Sequence, residues 1–213
     1  MARFVCLANS FKEGGRCLAG VELDTNNNPV INNGHPKWIR PICNTPHGEV
    51  HTYLVSHINI LDIVEVEITN YPDGNNYQSE NAFFKENSIN VIGSFDRSQL
   101  DRLCDNRNLI FGNRGKAIPE EAIGNMSYSL MFIKIDQFEV IERTWEDNPN
   151  RPKTRLVFSY NGNTYDLPIT DPAFLHHYQT NPNFLNNQDQ IYASLSIAVE
   201  WKGWYYKLIA GIL

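Results

Sequence analysis

The chain has no C-x-x-C pair: its four cysteines, Cys6, Cys17, Cys43 and Cys104, are scattered. That spacing argues against a paired-cysteine redox motif and against the usual zinc-finger framework. Three of the four lie in apolar, strand-like segments, where free cysteine behaves as a small hydrophobe, so reduced structural thiols are expected. Long hydrophobic runs are missing as well. The apolar stretches span only a few residues, against about 20 for a membrane-crossing helix. The opening MARFVCLANS has no signal-peptide core, so a soluble protein of the cytoplasm, with no membrane partner, is expected. An excess of positive charge is lacking too: 18 Lys and Arg stand against 24 Asp and Glu, a net charge of −6. Coating of nucleic acid by bulk charge needs the opposite balance.

What is present is an ordinary globular composition. Of 213 residues, 42% are hydrophobic and 20% charged, which supports a folded core rather than disorder. The length suits one large domain or two small ones, because a single core usually holds about 100–150 residues. Charge is unevenly spread. Residues 1–60 carry five Lys/Arg against four Asp/Glu, with four of the six histidines, so that end is where an anionic partner, if the protein has one, is expected.

The chain reads as strands punctuated by turns. Residues 3–10 and 16–23 are β-like runs joined by FKEGG, whose Gly14 and Gly15 offer positive φ for a tight connection. Residues 24–36, rich in Asn, Gly and Pro, read as a solvated loop. Residues 43–57 are ambiguous between helix and strand. Residues 62–72 form the clearest strand, and 94–106 read as a short helix capped by Ser94 or Asp96. The stretch 112–125 is a connector with one helical turn after Pro119 and marks the boundary between two halves. In the second half, residues 129–144 are long for one strand and should bend or bulge. Asn161-Gly162 predicts a hairpin, Asp171-Pro172 starts a short helix, and Lys202-Gly203 joins two closing strands.

Two β-rich halves with one short helix each predict an all-β protein with short helices. The expected architecture is two tandem OB-like β-barrels, 1–115 and 125–213, because small sheets remove exposed edges by closing. A pair of sandwiches or one irregular α+β domain fits the same periodicity.

The order of five segments carries more. CLANSFKEGGRCLAGVEL from Cys6, WIRPI at 38–42, YQSEN at 77–81, ITDP at 169–172 and the closing SLSIAVEWKGWYYKLIAGI occur in an order and spacing that resemble the bacterial dual OB-containing domain family. The resemblance spans residues 3–212. It implies two tandem OB-like barrels and a connection to nucleic acid modification. No catalytic signature comes with it, and Cys43 stands where a serine is expected after WIRP-x.

Candidate binding residues lie in the first half. In WIRPI, strand alternation puts Trp38 and Arg40 on one face and Ile39 on the other. A Trp beside an Arg offers a stacking ring and a phosphate partner, the combination used by single-strand-binding barrels. The same pair fits a structural role, with Arg40 covering Trp38 and ending in an ion pair to Glu49 or Glu65. In KEGGR, Lys12 and Arg16 flank two glycines whose amides can approach an oxyanion, although a plain turn uses the same glycines. With Lys37 these form the expected nucleic-acid-binding set: Lys12, Arg16, Lys37, Trp38 and Arg40. Single-stranded nucleic acid, or a nucleic-acid-processing protein, is the expected partner.

Cys43-x3-His47-x3-His51 is not a recognised ligand spacing, so no metal and no cofactor is assigned. No nucleophile sits beside its base in the sequence, and catalytic residues are left unassigned. The expected function is a non-catalytic nucleic-acid-associated module acting through the first barrel. An enzyme of nucleic acid modification, built on Cys or His of the N-terminal half, and a protein–protein adaptor are the rival classes.

Overall fold

Ala2–Lys12 (β1) and Gly15–Glu22 (β2) form the first hairpin. The computed structural model describes residues 1–73, 77–145 and 148–213. It turns this hairpin through Glu13 (φ 44) and Gly14 (φ 83), the two left-handed residues of a primed turn. Gly15 serves a different purpose from the expected one: it is buried, and a Cβ there would sit 2.6 Å from the Val50 carbonyl oxygen. Within the expected solvated loop, Ile31–Asn32 (β3) and His35–Pro36 (β4) pair as a small hairpin. Trp38–Ile42 (β5) then pairs antiparallel with β2. A helix, Thr52–Val55 (α1), precedes Asp62–Val66 (β6) and Ile68–Asn70 (β7), and the chain returns as Asn81–Phe84 (β8).

β6 pairs with β1, β7 pairs with β8, and β8 lies parallel to β5. Only Glu67 separates β6 from β7, so one bent strand joins both ends of the run β8-β5-β2-β1 and the sheet closes. This is the five-stranded path of an OB barrel. Asn90–Ser94 (β9) adds an exposed edge beside β6. The expected helix after Asp96 is a 3-10 turn, Arg97–Leu103, where the Asp96 carboxylate accepts the Ser98 amide.

The second half repeats the path. Ala117–Pro119 (β10) and Glu120–Ile123 (α2) lead into Leu130–Ile135 (β11) and Phe138–Trp145 (β12), the expected long strand, which bends at Asp136-Gln137. Asn148–Tyr160 (β13) and Asn163–Pro168 (β14) form the expected hairpin, with Asn161 at φ 48 and Gly162 at φ 73. Pro172–Thr180 (α3) begins where the Asp171 carboxylate accepts the Ala173 and Phe174 amides at 3.0 and 3.1 Å. Ile191–Trp201 (β15) and Trp204–Ile212 (β16) complete the chain. β11 pairs with β15 and β12 with β13, while a parallel bridge from Ile169 to Ile209 sets the end of β14 beside β16. The bent β11–β12 strand therefore closes this barrel as β6–β7 closes the first, and the fold is two tandem OB-like barrels.

Each barrel has its own core: Phe4, Cys6, Leu18, Ile39 and Val64 in the first, and Ile133, Leu156, Phe158, Leu167 and Ile209 in the second. The outer face of β1 and β2 is covered as well. Val5, Leu7 and Val21 pack with Phe132 and Tyr192, and Ala8 and Ala19 with Leu130 and Ala210. Strands buried on both faces read as continuous apolar runs, which explains the unbroken burial of residues 4–8 and 17–21. A β-bulge at Leu7 takes its carbonyl out of the ladder, and that oxygen accepts from Ser194 Oγ at 2.5 Å. Among the described residues, no helix is long and apolar enough to cross a membrane.

Candidate nucleic-acid interface

β5 carries Trp38 and Arg40 toward the second barrel. Trp38 packs against both inter-barrel clusters, and its indole Nε1 is buried with no acceptor. Arg40 is 1% exposed. Its Nη2 donates to Glu80 Oε1 at 2.7 Å and to Ser129 Oγ at 2.9 Å, and its Nε donates to Asn81 Oδ1 at 2.6 Å. Ser129 in turn donates to Glu80. Burial opposes the guanidinium charge, but Glu80 and Cys17 outweigh it and move the Arg40 pKa up. Tyr77 borders this group, its phenol pushed up to about 12 by burial against the pull of Arg40. The sequence reading pairs Arg40 with Glu49 or Glu65, or exposes it to phosphate. The structure buries it on Glu80 instead, where a phosphate in solvent finds no open face of the guanidinium. The strand 2–3 face, through which OB barrels commonly take oligonucleotides, is here covered by the second barrel.

The other three expected residues divide into two places. Lys37 pairs with Glu22 Oε2 at 2.7 Å, at the end of β2 remote from the β1–β2 turn. Arg16 lies six residues away along that strand, about 20 Å at the usual rise. Lys12 and Arg16 sit together at the turn. Arg16 is the cross-strand partner of Phe11, and its guanidinium lies over the Phe11 ring, 4.8 Å from the centroid. Phe11 is 57% exposed.

This end of the barrel holds unused polar capacity. Arg16 Nη1 donates to the Asn9 carbonyl at 3.2 Å, but Arg16 Nε and Asn9 Oδ1 are buried without partners. Lys12 forms no ion pair among the described residues. Burial draws its pKa down; Cys17 opposes that shift and the Arg40 charge adds to it.

The corresponding end of the second barrel is also aromatic. At the β15–β16 turn Trp201 is 57% and Trp204 45% exposed. Lys202 Nζ lies 4.6 Å above the Trp201 ring, and the Tyr206 ring is 6.0 Å from it. The sequence reading passed over Phe11, Trp201, Trp204 and Glu80 as site residues. A signal was present for the tryptophans, since two of them flank a Lys-Gly turn whose tip no core can cover.

The family model for the dual OB-containing domain matches residues 2–212. The chain belongs to the dual OB-containing domain family. The match includes both barrels, so the Arg40–Glu80–Ser129 contact between them lies inside the matched unit. No curated protein matches the chain.

In this dual OB-containing chain all four cysteines are free. Burial pushes the Cys6 and Cys43 thiols up, and Cys104 up to about 12. An activated thiolate nucleophile needs the opposite shift. Cys43 also lines a groove of about 290 Å³ with Asn44, Thr45, Gln78 and Asn81, and it stands with His51 and Glu86 as a possible ligand set.

Proposed function

We propose that this dual OB-containing chain is a non-catalytic nucleic-acid-associated module that takes single-stranded nucleic acid at the β1–β2 turn of its first barrel. The observation that carries the reading is the exposed Phe11 ring with the Arg16 guanidinium stacked on it. The loop between the first two strands is one of those through which OB barrels contact oligonucleotides. Every base has a π face, so an exposed ring tracks a strand without reading its sequence. Arg16 adds a planar cation suited to phosphate; Lys12, the next residue after Phe11, projects from the other face of the strand, where it is half-buried and the Glu49 and Glu80 carboxylates act on its charge. With a net charge of −6, the attraction is confined to this end of the barrel. The exposed Trp201–Trp204 turn supports a second contact, with a nucleic-acid-processing protein, because large exposed apolar patches mark docking sites.

The test is fluorescence anisotropy with labelled single- and double-stranded DNA and RNA across a salt series. Single strands should bind more tightly, with affinity falling as salt rises. Phe11→Ala should weaken binding by about 1–3 kcal/mol, and Arg16→Ala should lower the salt slope by about one phosphate's share. Binding that is absent at low salt, or unchanged in Phe11→Ala, would overturn the reading. Oligonucleotide-independent capture through the β15–β16 turn, lost in the Trp201→Ala, Trp204→Ala double variant, would leave the adaptor class in its place.

A further inference from the structure

The parallel pairing of β5 with β8 sets Ile42 beside Phe83, so the segments that leave these two strands emerge side by side. One begins with Cys43. The other carries Glu86, in the 3-10 turn Glu86–Ser88. The connection from β5 to α1 then returns to the same place with His51, the residue just before that helix. The Sγ of Cys43 lies 3.8 Å from Glu86 Oε1, and the ligand atoms of Cys43, His51 and Glu86 all fall within 4.8 Å of one another. The edges of a tetrahedron with zinc–sulfur and zinc–nitrogen bonds of ordinary length are roughly 3.3–3.7 Å, so small side-chain adjustments bring the three into coordination range.

We infer that Cys43, His51 and Glu86 form a zinc site with one coordination position left open. The donor set decides the metal. A thiolate with an imidazole disfavours magnesium and calcium, which take oxygen ligands, and a single carboxylate completes a set that suits Zn²⁺. Cys43 is 6% exposed, while His51 and Glu86 face solvent, so an ion enters from the surface and water fills the fourth position. Three protein ligands leave one place on the ion for water or for a donor atom of a bound ligand, unlike the closed four-ligand structural sites. On binding, the Sγ–H bond of Cys43 breaks, its proton passes to solvent and the sulfur electron pair forms the bond to the metal. His47, midway between Cys43 and His51 in the chain, is not part of the group; Glu86, from 35 residues beyond His51 in sequence, takes the third place because the barrel brings it there.

The full chain, stripped of metal and kept reduced with a phosphine, is titrated with Co²⁺ and then with Zn²⁺. One Co²⁺ per chain should bind with a thiolate-to-metal charge-transfer band, and Zn²⁺ should displace it. Cys43→Ser should abolish the band. His51→Ala and Glu86→Gln, both at exposed positions, should each weaken affinity by at least about tenfold, the loss that even an outer-shell partner can cause. His47→Ala and Cys104→Ser should bind as the wild type does. Circular dichroism establishes that each variant is folded, and if Cys43→Ser fails to fold, the His51 and Glu86 variants decide the matter. Three results would overturn the site: no stoichiometric binding at millimolar metal, a charge-transfer band that survives in folded Cys43→Ser, or an affinity that ignores both His51→Ala and Glu86→Gln.

Discussion

Arg40 and Glu80 form an ion pair 2.7 Å long, with side chains only 2% and 4% exposed, and Ser129 from the other barrel hydrogen-bonds to both partners. Two charges have been taken out of water and satisfied across the contact between barrels. A pair of this kind is costly to break one-sidedly, because the remaining charge stays buried without a partner. Glu80→Ala should therefore destabilise the protein by about 3–5 kcal/mol, read as a shift of the urea midpoint. The double variant Arg40→Met, Glu80→Leu should lose much less. Equal losses in the single and double variants would show that the charges are not coupled.

Trp38 and Phe11 separate packing from binding. Trp38 fills the space between the barrels, so Trp38→Ala should cost about 3 kcal/mol, the lower end for a large aromatic, because the ring is only partly buried. Phe11→Ala, at an exposed ring, should stay within about 0.5 kcal/mol of the wild type. Thermal melts distinguish the two without any ligand. The reverse order of effects would place Trp38 outside the packed contact.

Gly211 of the second barrel lies close against the Leu7 carbonyl of the first. A Cβ on Gly211 would collide with that oxygen, which is already the acceptor for Ser194 Oγ. Gly211→Ala should destabilise by about 1–3 kcal/mol, the usual range for forced overpacking. Gly124, with open space around the added methyl and an ordinary helical φ of −62, serves as the control and should change by less than about 0.5 kcal/mol. Differential scanning calorimetry of both variants gives the comparison.

Lys207 supplies a pH dependence. It is fully buried, and its Nζ donates to the Ile110 carbonyl at 2.6 Å and to the Asn113 carbonyl and Oδ1 at 2.8 and 2.9 Å. Burial pulls its pKa down to about 7, against about 10.4 for the unfolded chain. Between those values the unfolded chain holds a proton that the folded chain has released. Stability contributed by this group therefore rises with pH from about 7 to 10 and is flat below about 7. In Lys207→Met the rise should vanish. The difference between wild type and variant should grow between pH 7 and 9 at no more than about 1.4 kcal/mol per pH unit, measured by urea denaturation at each pH. A difference that stays constant would mean that Lys207 remains charged throughout.

Much of the fold was legible because turns and caps are local. The Asn161-Gly162 pair made its hairpin, Asp171 capped the helix that Pro172 begins, and Lys202-Gly203 joined the last two strands, each through backbone conformations that one or two residues impose. Gly15 was misread for the same reason viewed from the other side. Its glycine answers the Val50 carbonyl, 35 residues away in sequence, and not the turn beside it. The site was less legible. Phe11 stands out only once its outward direction at the end of β1 is known, and Cys43, His51 and Glu86 have no common spacing in the chain.

By itself the sequence determined that Trp38 and Arg40 share one face of a strand, since alternation is a property of the extended backbone. The order of its motifs, through their resemblance to the dual OB-containing domain family, implied two OB-like barrels, while strand periodicity alone fitted sandwiches as well. What covers the shared face was decided only by the tertiary structure. The partner that completes the Arg40–Glu80 pair is Ser129, 89 residues away, and no local pattern states whether a strand face meets water or another barrel. Burial is a sum over contacts that the closed chain makes, and here that sum turned an arginine suited to phosphate into an interior charge, while it left the Phe11 ring at the end of the same hairpin facing solvent.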